Sequence, residues 1–295
     1  MIDTKLYSLL KVAETGSFTR AAELLSMTQP AVSHQVRALE SDLNVRVFDR
    51  SNGELHITHE GEIVIKYARR MLAIYNNLHR DLETEKSQIA SLAVGVTHTA
   101  ESSVIAEVLA KYAQSHEGVT IKIITGPLSK LHDMLRNYEL DFAVVEGKMN
   151  DPSLHYMMMD TDSLVLAVSP THRLVKKNMV TLQDLKKEKL ILRLPDSNTR
   201  NLFVASLESR NLSIDDFDVL LQINNVATIK DLIRRDIGVS VLAKSACLDE
   251  LKKKKIVCLP IENLSMIREI NIVYTQDFEH FSILQDIVRE YNEMR

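Results

Sequence analysis

Residues 29–43 read QPAVSHQVRALESDL, and Thr28 ahead of them is a good N-cap, with Pro30 in the first turn where a missing N–H costs nothing. On a helix of about 3.6 residues per turn, Val32, Val36, Leu39 and Leu43 fall on one narrow stripe, the side that buries. Pro30, Ser33, His34, Arg37 and Ser41 lie opposite, with Gln29 near the edge. A solvated face usually carries Glu/Lys pairs. This one offers hydrogen-bonding groups and a single arginine, which suits a DNA major groove, where Arg reads guanine and Gln or Ser reads other base edges. Taken alone, the pattern fits a plain surface helix equally well, so the flanking sequence decides.

Upstream, Leu6, Leu9, Leu10 and Ala13 have helical period and Gly16 ends the element. Ser17 caps a short helix, Phe18 to Leu25, whose Ala21, Ala22, Leu24 and Leu25 form an apolar stripe. Downstream, Val45 to Asp49 and Leu55 to Thr58 flank Ser51-Asn52-Gly53, and Asn-Gly between apolar runs is a strong hairpin signal. Three helices and a hairpin over residues 1–58 predict a winged helix-turn-helix. Arg46 and Arg50 at the hairpin base are placed to reach phosphates, which position a protein on DNA without reading sequence.

Net charge does not announce a nucleic-acid partner. The chain totals −4, and residues 1–58 hold six Lys/Arg against seven Asp/Glu. Composition does exclude other classes. At 45% apolar and 26% charged residues the chain is globular, and 295 residues suit two or three domains. Its eight glycines are never close enough to write GxGxxG, GxxxxGK[ST] or G-x-S-x-G, so dinucleotide, P-loop and nucleophile-elbow chemistry fail. Two cysteines make neither a disulfide framework nor a zinc site. The longest run without Asp, Glu, Lys or Arg, Ser87 to Ala100, has 14 residues, short of the roughly 18 of a membrane span. With no basic-then-apolar start, the expectation is a cytoplasmic protein without a membrane partner.

Between residues 59 and 88 a long helix follows. Thr58 caps it, Glu60 and Glu62 suit its positive end, and Val64, Ala68, Met71, Tyr75, Leu78 and Leu82 recur at alternating spacings of four and three. That is an a/d seam, and it predicts a dimerising coiled coil; packing on the next domain is the alternative. Glu83 to Gln88 reads as a hinge. From residue 91 to 295 strands and helices alternate, which predicts parallel sheet with crossover helices. Buried strands are expected at Leu92–Val96, Val119–Ile124 and Phe142–Val145, then Leu164–Val168, Leu190–Leu192, Val219–Ile223, Val239–Leu242, Ile256–Leu259 and Ile270–Tyr274. Helices are expected near 102–115, 128–138 and 279–293.

In open α/β sheets, ligands bind beyond the carboxyl ends of strands. That rule selects Thr97, His98 and Thr99, then Gly126 and Ser129, then Glu146, and in the later residues Ser197, Asn198, Thr199 and Asn224. Hydroxyls and amides at helix starts favour a small anion, although the same residues serve as ordinary N-caps, and an inward Glu146 opposes a dianion. Cys247 and Cys258 flank a helix and are a candidate redox pair, with plain packing the commoner explanation. Met157-Met158-Met159 reads as strand packing, and no catalytic constellation is visible.

Together, Ala13, Gly16, Ser17, Phe18, Ala21, Ala22, Gln29, Pro30, Ala31, Val32, Ser33, Leu39, Glu40, Phe48, Arg50, Thr58 and Gly61 closely resemble the DNA-binding domain of LysR-type transcriptional regulators. Asn44 departs from the family's usual Gly, a tolerable change at a left-handed helix end. The resemblance implies groove-facing roles for Gln29, Pro30, Ser33, His34 and Arg37. It further implies a two-lobed, periplasmic-binding-protein-like effector domain, with one lobe at about 91–161 and 268–295 and the other at about 162–267. The end of the strand at Asp141 to Gly147 is faintly similar to the branch regulating sulfur and cysteine metabolism. The expected protein is a non-enzymatic bacterial regulator with no cofactor beyond a small-molecule co-inducer. Its partners are a double-stranded DNA operator, itself (a dimer, or a tetramer as a dimer of dimers), and RNA polymerase where it activates. A solute-binding protein without regulatory DNA binding is the rival.

Overall fold

The computed structural model describes residues 4–51, 54–87, 90–149, 151–278 and 280–294. The chain divides into two compact units, Met1–Ala90 with Arg136–Glu139, and Ser91–Leu135 with Leu140–Arg295. Among the described residues no helix is long and apolar enough to cross a membrane.

The first unit runs α1 (Thr4–Thr15), α2 (Phe18–Leu24), α3 (Gln29–Leu43), the hairpin β1 (Phe48–Ser51) and β2 (Glu54–Ile57), and α4 (His59–Ser87). Gly16 leaves α1 with a φ of +64°, a turn for which a side chain would be strained. The Ser17 and Thr28 hydroxyls accept the Arg20 and Ala31 N–H groups, and Asn44 closes α3 in the left-handed region at φ 52°. Leu9, Val12, Ala21, Val32, Val36 and Val47 form the core. The expected stripe on α3 is shorter than its period suggested: Leu39 is half-buried and Leu43 is 49% exposed, because the helix runs past the end of the small core. Leu24 is likewise exposed. Glu40 binds the wing, its Oε1 accepting the Val47 and Phe48 N–H groups at 2.7 and 3.2 Å. β1 and β2 pair antiparallel; the turn residues Asn52 and Gly53 lie outside the described residues.

The second unit begins β3 (Ala90–Val96), α5 (His98–Glu101), α6 (Ile105–Ser115), β4 (Val119–Thr125), α7 (Leu128–Arg136), β5 (Phe142–Glu146) and β6 (Leu154–Val168). It continues α8 (Leu182–Leu185), β7 (Lys189–Leu192), α9 (Asn198–Glu208), β8 (Asp218–Gln222), α10 (Val226–Arg234), β9 (Ser240–Ala243), α11 (Leu248–Lys252), β10 (Val257–Leu259), β11 (Ile267–Thr275) and α12 (Phe281–Met294). The helix expected near 102–115 is α6, which begins at Ile105, and a separate short helix, α5, precedes it.

The sheet is mixed, not wholly parallel as alternation implied. β3 and β5 are parallel, as are β7 and β8, but β11 runs antiparallel to both β5 and β6. Connectivity is the reason: β6 leaves the first lobe and β11 returns to it, so the two crossing strands point in opposite directions. Residues 154–163 of β6 pair with β11, whereas residues 164–168 pair with β9 and β10. One strand therefore serves two cores, one around Val94, Leu109, Phe142 and Ile272, the other around Leu166, Leu185, Leu190 and Phe203.

Candidate functional site

Two regions carry functional groups, one in each unit. In the first, Val32 and Val36 are buried beneath α3 while Pro30, His34 and Arg37 are exposed on its other side. Gln29 and Ser33 are half-buried and joined, Gln29 Nε2 donating to Ser33 Oγ at 2.9 Å. That bond fixes the amide's orientation and leaves the Gln29 carbonyl and the Ser33 hydroxyl hydrogen for another partner. Arg46 is exposed beside the wing, its carbonyl accepting the Thr58 hydroxyl that caps α4. The side chain of Arg50 lies outside the described residues.

The expected seam on α4 is placed differently. Ala68 is fully buried and Val64 half-buried in the winged core, so neither lies on the outer face. Tyr75 is half-buried, its ring edge-on to His79 at 4.5 Å. The exposed apolar stripe consists of Ile63, Tyr67, Met71, Ile74, Leu78 and Leu82, each close to half exposed. The first turns of α4 are shared with the domain they leave, which claims one face and shifts the outward stripe by about one residue. Met71, Leu78 and Leu82 remain on it.

In the second unit the residues selected at strand ends converge from both lobes. Thr97, buried, caps α5 and donates its hydroxyl to the Glu146 carboxylate at 2.8 and 2.9 Å. Thr99 and Thr199, both buried, bring their hydroxyls to 3.4 Å across the lobes. Asn198 Nδ2 donates to the Glu146 carbonyl at 3.2 Å. His98, Gly126, Ser197 and Asn224 also line this cleft, although Asn224 is committed within its own lobe, donating to Asp196 and accepting the Leu194 N–H. Ser129 is not brought in: it is exposed in the first turn of α7, where the helix turns it outward. The free volume of the cleft is about 20 Å³, room for one water.

Two arginines that strand-end reasoning passed over dominate the site. Arg193 is only 4% exposed and donates from Nη1 to Thr99 Oγ1 at 3.4 Å. Arg268, whose side chain is 7% exposed, donates from Nη1 to Thr199 Oγ1 at 3.3 Å and stands 3.6 Å from Asp162. Among the described residues, Arg193 Nε and Arg268 Nε and Nη2 are buried without a hydrogen-bond partner, a costly condition for charged donors. Burial pulls the Arg193 guanidinium below its ordinary pKa and the Arg268 charge adds to this, against the opposing attraction of Glu146 and Asp196. Arg193 follows β7 directly, so the strand-end rule itself contained it; Arg268 lies inside a strand and carries no local signal.

Comparison with known proteins assigns both units. Residues 4–62 match the family model described as bacterial regulatory helix-turn-helix protein, lysR family, and residues 86–293 match the LysR substrate binding domain. A probable RuBisCO transcriptional regulator of Phaeodactylum tricornutum is 27% identical over 288 residues, 94% of each chain. Full-length CbnR, solved with its target DNA, superposes with a TM-score of 0.70 at 17% identity over 100% of both chains. The CcmR regulatory domain of Synechocystis PCC6803, solved in complex with 2-PG, gives 0.60 at 20% identity over 68% of this chain and 96% of its own. At these identities the two structures show a shared fold. With both family models satisfied along one chain, the protein belongs to the LysR family: it is a LysR-type transcriptional regulator with an effector-binding domain.

Proposed function

We propose that this regulator is switched by a small anion bound between Thr97, Thr99 and Thr199, held by Arg193 and Arg268, and that it acts by binding alone, without catalysis. The carrying observation is the pair of buried guanidiniums with orphaned N–H donors on either side of a contact between lobes. An anion there satisfies donors that the protein leaves unmet. Glu146, Asp162 and, at the rim, Asp196 already outnumber the two arginines in formal charge, which favours a monoanion over a dianion. Because the cleft is closed, the effector must part Thr99 from Thr199 to enter. It therefore binds the open arrangement of lobes in preference to the closed one, as any switch requires. The CcmR regulatory domain, solved in complex with 2-PG, supports a small-molecule ligand in a domain of this fold. Thermal melting of the full chain against short carboxylic and phosphorylated acids tests this: at least one should raise the melting temperature in the wild type and not in Thr99→Val. Equal shifts in both would remove the site.

At the other end of the chain Gln29, Pro30, Ser33, His34 and Arg37 face the major groove, with Arg46 and Arg50 on phosphates. Arg37→Ala should cost about 1–3 kcal/mol on the operator and relax base preference. Arg46→Ala should weaken operator and scrambled DNA alike and lower the salt slope by about one. Fluorescence anisotropy on both duplexes separates them, and parallel losses for the two variants would overturn the division of roles.

Dimerisation runs through the outer stripe of α4, and two recognition helices then address two half-sites. Met71→Lys/Leu78→Lys should leave monomers at micromolar concentration by analytical ultracentrifugation. A sedimentation profile like that of the parent would refute this use of the stripe.

A further inference from the structure

The hinge between the lobes holds a larger cavity, about 470 Å³, that shares no residue with the interlobe cleft and is of the size that takes a small molecule. Val104, Tyr291 and Met294 contribute from the first lobe, and Lys244, Leu248 and Lys252 from the second. Residues 160–163 of β6 and Ile267 of β11 complete it.

Its chemistry is uneven in a telling way. Both acids on the wall are engaged: Asp160 accepts the Tyr291 hydroxyl at 3.0 Å, and Asp162 accepts the Ser245 hydroxyl at 2.8 Å and the Ser163 and Ser245 N–H groups at 2.9 and 3.1 Å. Among the described residues, neither Lys244 nor Lys252 has a side-chain hydrogen bond or ion pair. The two lysines on the wall therefore keep their charge for another partner, while both carboxylates already accept hydrogen bonds. Beside Thr161, Ser163 and Ser245, the rest of the wall is Val104, Leu248, Ile267, Tyr291 and Met294, and Ile267 is a large aliphatic side chain left 63% exposed.

We infer that this cavity is a second ligand site, for a small amphipathic carboxylate whose head lies between Lys244 and Lys252 and whose hydrocarbon part covers Val104, Leu248, Ile267 and Met294. Its occupant touches both lobes and the strands that join them, so it biases the lobe angle on which the interlobe ligand also acts. A direct link exists as well. Asp162 stands against Arg268, and Arg268 donates to Thr199 in the cleft. Coupling of this kind is reciprocal, each ligand altering the other's affinity by the same factor.

Titration calorimetry of the full chain with sodium butyrate, hexanoate and octanoate, and with neutral hexanamide, tests the site without any interlobe ligand. Hexanoate should bind at millimolar concentration or below and hexanamide should not. Lys244→Gln/Lys252→Gln should weaken hexanoate by about ten-fold or more while keeping the melting temperature of the parent, since both changes are at the surface. Failure of all three carboxylates to bind, equal binding of hexanamide, or unchanged hexanoate affinity in the double variant would each overturn the proposal. No interlobe residue enters these measurements, so their failure leaves the interlobe reading untouched. In the anion melting screen a carboxylate bound here shifts wild type and Thr99→Val alike, and repeating the screen in Lys244→Gln/Lys252→Gln tells the two sites apart.

Discussion

Alanine at position 61 is expected to unfold the winged unit and abolish operator binding. Gly61 is buried in the first turn of α4, and a Cβ built there would lie 2.2 Å from the Val47 carbonyl oxygen and 3.0 Å from Ile57 Cγ2. Backbone is the obstacle, so no rotamer change relieves it. Nor is the carbonyl free to retreat, for it accepts the Thr58 N–H at 3.0 Å. The N–H of the same residue is held by Glu40, and through Glu40 any movement of Val47 reaches α3. The expected cost is about 3 kcal/mol or more, a large part of the roughly 5–15 kcal/mol that stabilises a domain. Thermal melting by circular dichroism, read beside anisotropy on the operator, measures it. Parental melting and affinity in Gly61→Ala would mean that the wing gives way at little cost, and the argument would be wrong.

Methionine in place of Arg193 should separate stability from effector response. Burial of the guanidinium outweighs the attraction of Glu146 and Asp196, so its charge is disfavoured in the folded chain at neutral pH, far below its pKa. Its side chain's polar contact is a long one to Thr99, and its Nε has no partner. An apolar residue of similar length removes a buried charge and its unpartnered Nε, while Glu146 and Asp196 lose a counter-charge in exchange. Glu146 keeps the Thr97 hydroxyl, shared between its two carboxylate oxygens. Urea unfolding should therefore place Arg193→Met within about 2 kcal/mol of the parent, the relieved desolvation of the guanidinium offsetting the counter-charge lost by Glu146. The same variant should bind the anion that shifts the wild-type melting curve about 100-fold more weakly, roughly 3 kcal/mol. A variant destabilised by more than about 2 kcal/mol would show that Arg193 serves the fold as a partner of Glu146, and the anion site would lose its main support.

Much of the winged unit was legible because its signals are local. Thr28 and Asn44 delimit α3 through bonds to residues three or four places away, with Pro30 suited to its first turn, and Ser17 does for α2 what Thr28 does for α3. Strand positions in the second unit were readable from short apolar runs, and the strand-end rule brought Thr97, Thr99, Glu146 and Thr199 to one cleft. It chose Ser197, Asn198 and Thr199 over Arg193, which is nearer to its strand, because hydroxyls and amides signal a helix start and an arginine does not. Ser129 was drawn in by the same preference and is turned outward by α7. On α4 the heptad count began at Val64 and Ala68, yet the winged core covers that face, a competition that spacing along one helix cannot display.

Helix caps, turn residues and apolar period act over a few residues, so residue order alone determined the DNA-binding domain, the long helix and the family. The burial of Arg193 and Arg268 depends on side chains far away along the chain, as in the Arg193–Thr99 contact, 94 positions apart. The direction of β6 and β11 depends on which lobe each strand enters, and the hinge cavity on how two separate cores meet along one strand. These features were decided by tertiary structure, because the desolvation of a charge and the volume of a cavity are set by everything that surrounds them.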